Sequence, residues 1–442
     1  MIKLKDTSLD LFRYTLKQGL GIPASQTKTY YQQFLQDIIN KLPTSITCQS
    51  TPTEQQKFFD LLINQEKLPF VGTIANHQIK GRYRRYTLND NYQLYFTGYV
   101  NEATEPDTNL IDQLKNLIPP PPAQPPHLGQ TWLLSGCLTS AYTNSEITKF
   151  VQSIYKNILK TTDNTVPEPL TGQYAGSSIL QYWGSNIVDN QHLLIILFSN
   201  EDDTKYLGDQ YINLWLDIFC YRHKIIWAHQ NSETLRTKLV DKYNEIITIQ
   251  NLADLNLPKL QKAMGKLSDF VIALNYLELQ ASTIRVNAEK YSNQLLKISQ
   301  QVPHSNLKFF EEFQDNINLY QKAIKKDLEN FHPCLEVLRS LTDTIRGTVE
   351  IRKAESDRQF QQIIGIGGLG VGVASVVASA VAGQIPEIQS DNTLNKIIVA
   401  MPFPSSWSNL QYILGISLIS GVLSSLLAYI IVKLFILYRR NN

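Results

Sequence analysis

Residues 363–383 read IIGIGGLGVGVASVVASAVAG, and residues 410–432 read LQYILGISLISGVLSSLLAYIIV; neither stretch contains a charge. At 1.5 Å per helical residue the first spans roughly 31 Å, about one hydrocarbon core. A soluble helix of that length normally carries charge on one face. Both stretches therefore read as transmembrane helices. Arg352, Lys353 and Arg358 precede the first, and Lys433, Arg439 and Arg440 follow the second. The loop between them, residues 384–409, holds Lys396 beside Glu387 and Asp391. Basic residues collect on the cytoplasmic side, so both termini and everything before residue 363 are expected in the cytoplasm, with the loop outside. Trp407 and Tyr412 suit an interfacial anchor for the second span.

Small residues recur at four-residue spacing in both spans. Gly368 and Gly372, then Ser375 and Ser379, mark the first; Ser417 and Gly421, with Ser424, mark the second. Such faces either pack helices closely or line a narrow path where hydroxyls and backbone meet ions. Gly365-Ile-Gly-Gly-Leu-Gly370 is a literal GxGxxG, but a dinucleotide fingerprint needs a strand before it and an acidic residue about 20 positions later. A charged helical segment precedes it here, so the glycines belong to the membrane reading.

The chain before the spans is long enough for more than one domain in a total of 442 residues. A net charge of +2 marks neither a nucleic-acid binder nor an acidic tail. Cys48, Cys137, Cys220 and Cys334 are widely spaced without a CxxC, which fits a reducing compartment. The start, MIKLKDTSLDLFRY, has no apolar core of signal-peptide length.

From the N-terminus, residues 1–65 read as mostly helical, with Tyr30, Phe34, Ile38 and Leu42 at helical spacing and a further short helix over 54–63. The period then shortens to that of strands over 70–74, 78–88 and 92–101, the last two joined by Asn89-Asp90-Asn91. Residues 118–126, IPPPPAQPP, cannot enter a helix or a central strand and suggest a subdomain boundary. Beyond it, strands are expected over 131–139, 178–183 and 192–198, with an amphipathic helix over 146–160. From about residue 204 to 360 the pattern is helical. Pro258 opens one helix, whose Leu260, Met264, Leu267, Val271 and Leu274 alternate in steps of four and three, as in a coiled coil. Val302-Pro303-His304 breaks it, Ser305 reads as the next N-cap, and Pro333 predicts a kink or short break in the helix that follows.

The expected fold class is α+β: an N-terminal cytoplasmic α/β domain, a long helical coiled-coil stalk and two C-terminal transmembrane helices. Its segments are 1–120 (α+β), 127–203 (α/β), 204–362 (long-helix bundle and stalk), 363–383, 384–409 and 410–432 (span, loop, span), and 433–442 (basic tail).

Arg82-Tyr83-Arg84-Arg85-Tyr86 is the sharpest basic cluster. In a strand, Arg82 and Arg84 share one face and Arg85 takes the other, an arrangement that suits an anionic ligand or an ordinary solvated strand. Glu201-Asp202-Asp203 reads as a helix cap in preference to a metal site. Cys220, His223 and His229 are metal-ligand types, but no second pair completes a zinc site. Gly136-Cys137 and Gly176-Ser177-Ser178 have no base nearby in sequence. No catalytic set and no metal ligands emerge; no cofactor is implied beyond an unassigned divalent cation, and the chain reads as a non-enzyme.

The order of cytoplasmic domain, long helices, first span, short outside loop, second span and basic tail resembles the CorA-type two-transmembrane metal-ion transporters. The resemblance is one of architecture and covers most of the chain. It implies a cytoplasmic funnel, a homo-oligomer of five subunits and first spans that line a pore. That family ends its first span in Gly-Met-Asn, where this sequence reads Ala382-Gly383-Gln384-Ile385-Pro386. Three readings follow. The first is a CorA-like channel gated by its cytoplasmic domain, with Gly368, Gly372, Ser375 and Ser379 on the pore. The second is a membrane-tethered receiver or effector of a stress or defence pathway, binding an anionic, nucleotide-like ligand near Arg82, Arg84 and Arg85. The third is a structural coiled-coil anchor. The bilayer is a partner in all three, and nucleic acid in none.

Overall fold

The computed structural model describes residues 2–16, 29, 46–48, 67–74, 77–88, 90–100, 108–118, 127–159, 166–184, 190–250 and 257–353. The two apolar stretches, their loop, the basic tail, the proline run after residue 118 and the proposed helices at 30–42 and 54–63 lie outside them. Among the described residues no helix is long and apolar enough to cross a membrane.

The fold is mixed α+β. Its elements are β1 (Leu4–Leu16), β2 (Ile46–Cys48), β3 (Lys67–Ile74), β4 (His77–Leu88), β5 (Asn91–Val100), α1 (Thr108–Asn116), β6 (His127–Leu138), α2 (Asn144–Leu159), β7 (Leu170–Tyr174), β8 (Ser177–Trp183) and β9 (Gln191–Phe198). A 3-10 turn (Glu201–Leu207) then leads into α3 (Asp209–Gln250), α4 (Leu257–Gln301) and α5 (Lys308–Lys353). The strands form one sheet in the order β2-β3-β4-β5-β1-β6-β9-β8-β7. Among the described pairs β6–β9 is parallel and the rest are antiparallel.

The N-terminal residues expected to be helical instead begin with β1, which lies between β5 and β6. The reason is double coverage. Residues 9–16 of β1 are buried on both faces, so the strand shows no polar–apolar alternation for a period-two reading to find. Because β1 joins β5 to β6, the segments before and after the proline run build a single sheet.

One face of that sheet is apolar. Leu9, Leu11, Phe96, Trp132, Leu134, Leu193 and Ile195 form a cluster with Leu110, Ile111 and Leu114 of α1 and Ile154, Tyr155 and Ile158 of α2. A reciprocal cap fixes the start of α2: the Glu146 N–H donates to Thr143 Oγ1 (3.3 Å), and the Thr143 N–H donates to Glu146 Oε2 (2.8 Å). Glu201-Asp202-Asp203 opens the 3-10 turn, capped by Asn200, whose Oδ1 accepts from the Asp202 N–H at 3.2 Å.

The chain divides into two compact units, Met1–Glu233 with Gln280–Lys325, and Thr234–Leu279 with Lys326–Asn442. Described residues of the second unit are helical and bury Leu239, Leu260, Leu267, Val271, Leu274, Leu277, Phe331, Leu338 and Ile345. Lys266 pairs with Glu245 (2.7 Å) and His332 with Glu278 (3.2 Å) on its surface. Two local expectations change. Ser305 Oγ accepts from the Ala175 N–H (3.1 Å), and Asn306 caps α5 by accepting from the Lys308 N–H (3.2 Å). Pro333 lies inside α5, and the helix continues across it without a break.

Candidate functional site

The other face of the sheet carries the polar chemistry. Strand register places Arg82 opposite Thr97, and Thr97 opposite Asp10; one step along, Ser8 faces Tyr99 and Ser135. Paired residues point to the same side, so β4 and β6 each supply one side chain, and β1 and β5 two each, to a common patch. A cavity of about 330 Å³ opens there, lined among others by Asp6, Ser8, Asp10, Arg82, Tyr95 and Thr97, with Thr204 and Gly208 of the segment leading into α3. That volume falls at the small end of ordinary ligand sites. The β1 register shifts between Lys5 and Ser8, and Asp6 there adopts φ 53°. A bulge with a left-handed aspartate re-aims side chains at the rim of the cavity.

Asp10 forms the floor. It is 5% exposed and accepts from Tyr95 OH (2.7 Å) on Oδ1 and from Ser8 Oγ (2.8 Å) on Oδ2. Burial raises its carboxyl above the usual value, and the hydroxyls of Thr97, Tyr95 and Ser8 oppose that rise.

The rim is an arginine clamp. Arg82 and Arg84 share a strand face and both bind Asp209, the first residue of α3; Arg84 Nη2 donates to Asp209 Oδ2 at 2.7 Å, and Arg82 Nη2 donates to Oδ1. Arg84 Nη1 also donates to Tyr86 OH at 3.1 Å. Desolvation pushes the Asp209 carboxyl up, but Arg82 and Arg84 outweigh it and hold the group below its usual value. The Asp209 side chain remains 49% exposed, and the Nε atoms of both arginines have no hydrogen-bond partner. The two cations thus share one accessible carboxylate at the rim, Arg82 also acts on Asp10 below, and among the described residues the two Nε–H groups have no acceptor. Arg85 belongs to β4, and its side chain lies outside the described residues.

A second polar set lies further along the same face, under α3. Thr131 Oγ1 lies 3.1 Å from His192 Nδ1 and 2.8 Å from His223 Nε2; His223 Nδ1 reaches Asn190 Oδ1 (2.8 Å) and His192 Nε2 reaches Gln181 Oε1 (3.1 Å). Burial, with Arg222 nearby, lowers both imidazoles and keeps them neutral. Every ring nitrogen of the pair is engaged by a side chain, so the set has no nitrogen to offer a metal. Gly129 allows the close approach: with φ at 152°, a Cβ there would stand 2.4 Å from His223 Nδ1. The three residues of metal-ligand type are not brought together as a site. Cys220 Sγ accepts from Asn91 Nδ2 (3.6 Å), His223 belongs to the network above, and His229 stacks on Tyr320 at 3.9 Å. No group that could hold a metal ion occurs among the described residues. Of the two small-residue motifs, Ser177 Oγ accepts from the Ser199 N–H (3.1 Å), and burial raises the Cys137 thiol.

Of these residues Arg82 and Arg84 stand out in the sequence, whereas Asp10, Ser8, Thr97 and Asp209 do not. Asp10 stands in a stretch whose sequence suggests helix, and Asp209 is 125 positions from Arg84. The proposed pore residues Gly368, Gly372, Ser375, Ser379, Ser417, Gly421 and Ser424 lie outside the described residues. Compared with protein-family models, curated proteins and solved structures, the chain matches none of them.

Proposed function

We propose that the chain is a membrane-bound receiver: its sheet-bearing unit binds a small anionic, nucleotide-like ligand, and its two apolar C-terminal stretches carry the output. One observation carries the reading. Two arginines of β4 are held by a single exposed carboxylate at the head of α3, beside a hydroxyl-lined cavity. A phosphate group offers more acceptor oxygens than Asp209 and forms charge-assisted bonds with both guanidinium groups. It replaces Asp209, and the first residue of a 42-residue helix is released. Ser8, Thr97 and Thr204 suit the hydroxyls of a sugar in the neighbouring cavity. The ligand acts by preferring the released arrangement over the clamped one, and by no more than that difference in affinity.

The output follows the CorA-like reading: a homo-oligomer, five-fold in that family, with Gly368, Gly372, Ser375 and Ser379 on the pore and Ser417, Gly421 and Ser424 packing behind them. Its support is in the sequence, where both stretches are uncharged and carry small residues four apart. Both termini are cytoplasmic in this reading, and the protein breaks no bond.

The test uses the full chain in nanodiscs, titrated calorimetrically with a panel of linear and cyclic nucleotides. At least one is expected to bind. Arg82→Ala and Arg84→Ala each weaken it by about tenfold or more, as loss of a charge-assisted bond of ~1.5–3 kcal/mol requires. Asp209→Asn tightens it, because the resident competitor is gone. A panel that does not bind, or arginine variants that bind as well as the parent, sinks the receiver reading. The mass of the same particle decides the output: a closed ring supports the pore, and a monomer removes it.

A further inference from the structure

Arg222 of α3 is the most anomalous side chain in the sheet-bearing unit. It is 0% exposed, and Nε, Nη1 and Nη2 all lack a hydrogen-bond partner. Its guanidinium carbon stands 3.6 Å from the centroid of the Trp183 ring and 5.3 Å from that of Phe313. The groups that favour its charge are the phenols of Tyr291 and Tyr320, and Tyr291 already donates its hydroxyl to Phe310 O at 3.1 Å. Among the described residues no carboxylate acts on it. Burial lowers its pKa to about 9, so it stays charged at neutral pH. Aromatic faces attract a guanidinium but do not satisfy its five N–H donors. An isolated buried cation is expensive, and each unsatisfied buried group in a native fold calls for an ion or a water.

Gln181 is 1% exposed and two residues from Trp183 on β8, so the two share a strand face. With both imidazoles neutral, His223 Nδ1–H donates to Asn190 Oδ1, whose Nδ2 is spent on Leu128 O and His223 O, so Thr131 gives its one hydroxyl hydrogen to His223 Nε2 and accepts from His192 Nδ1–H. His192 Nε2 then accepts, and the Gln181 amide turns its N–H to it, leaving Oε1 as a neutral acceptor on that face. A neutral oxygen supplies no charge. What Arg222 lacks is therefore a counter-ion, which a small anion supplies.

We propose that Arg222, over the Trp183 ring, holds a small monovalent anion of chloride type in the interior of the sheet-bearing unit. The site is separate from the Arg82–Arg84 clamp and does not depend on the receiver reading. With the Trp183 and Phe313 ring centroids 3.6 and 5.3 Å from its guanidinium carbon, Arg222 is expected to take compact anions in preference to phosphate esters.

The full chain in nanodiscs tests this at constant ionic strength, with gluconate exchanged for chloride or bromide. Chloride is expected to raise the unfolding midpoint of the sheet-bearing unit by several degrees, as for any ligand that binds only the native state. Bromide, a heavy-atom quencher, is expected to quench tryptophan fluorescence with a saturable component, because the ion rests beside Trp183. Arg222→Gln, which keeps length and loses charge, abolishes both effects. Trp183→Phe keeps an aromatic floor, so it retains the chloride shift and loses the saturable quenching. A midpoint indifferent to chloride, a strictly linear bromide quench in the parent protein, or a saturable component that survives Arg222→Gln overturns the proposal. If Arg222→Gln does not fold, the parent and Trp183→Phe measurements decide it alone.

Discussion

Asp10 and Arg222 lie against the same face of the sheet, both out of water, and are held in opposite ways. Asp10 meets two donated hydroxyl hydrogens, from Tyr95 and Ser8, at 2.7 and 2.8 Å. Arg222 meets ring faces, at 3.6 and 5.3 Å, and no acceptor. A charge satisfied by its own strand neighbours can form the floor of an open cavity, where a ligand meets hydroxyls already fixed in direction. A charge held only by aromatic faces is stabilised in place but still lacks a counter-ion. Burial alone does not identify a binding site; the inventory of donors and acceptors around the charge does.

The most severe loss is expected in the aromatic cluster around Phe310, beside His192. Phe310 packs on His192, Trp215, Phe219 and Tyr291. Phe310→Ala is expected to cost ~3–5 kcal/mol in urea unfolding, the price of a large cavity. A loss below ~1 kcal/mol would mean that the wall is not packed as described. Next in size is Arg222→Met, which replaces the charge by an apolar chain of similar length. In gluconate it should stabilise the unit by ~1–4 kcal/mol, since an uncompensated buried charge is removed. In chloride the gain shrinks, because the parent then holds its counter-ion. Equal gains in both salts would leave Arg222 without an anion.

Tyr95→Phe tests the Asp10 side. Loss of a hydroxyl bonded to a carboxylate is expected to cost ~1.5–3 kcal/mol near pH 7. The pH dependence carries a sign. The Asp10 carboxyl is raised in the folded protein, so the native state binds its proton more tightly than the unfolded chain does. Its contribution is most favourable below the unfolded value of about 4 and declines as pH rises through the folded value. Tyr95→Phe removes a bond that favours the ionised form, so it raises the folded value further and steepens that decline. Asp10→Asn abolishes it. A pH titration of unfolding free energy in which Asp10→Asn leaves the slope unchanged would contradict the assignment.

The smallest effect belongs to the clamp. Asp209 is 49% exposed, so Asp209→Asn is expected to change stability by no more than ~1 kcal/mol while altering ligand affinity and salt dependence. A large stability loss with unchanged binding would make the clamp a structural pin.

Much of the fold was legible locally. Strands β4, β5, β6, β8 and β9 and helix α2 lie within a few residues of where periodicity and the Asn89-Asp90-Asn91 turn put them. The helix that breaks near Pro303 and resumes at Lys308 was readable for the same reason. The candidate site was legible only as one half of an ion-pair cluster: Arg82 and Arg84 stood out, but the carboxylate that holds them did not. Strand β7 escaped notice because its LTGQY stretch is exposed and lacks an apolar alternation. Ser305 looked like a cap by residue type, yet its hydroxyl is occupied by Ala175, 130 positions away.

Local sequence is enough to read the uncharged stretches at 363–383 and 410–432, the long helices before them and the placing of Arg82 with Arg84 on one strand face. Each of these is a property of composition or of spacing within a few turns of chain. Long-range packing makes residues 4–16 a central strand, brings Asp209 to the arginine clamp and places Trp183 and Phe313 against Arg222. A strand covered on both faces loses the alternation that announces it. Contacts such as Arg84–Asp209 or Tyr14–Leu216, across 125 and 202 positions, are fixed by sheet order and helix packing, which no local period encodes.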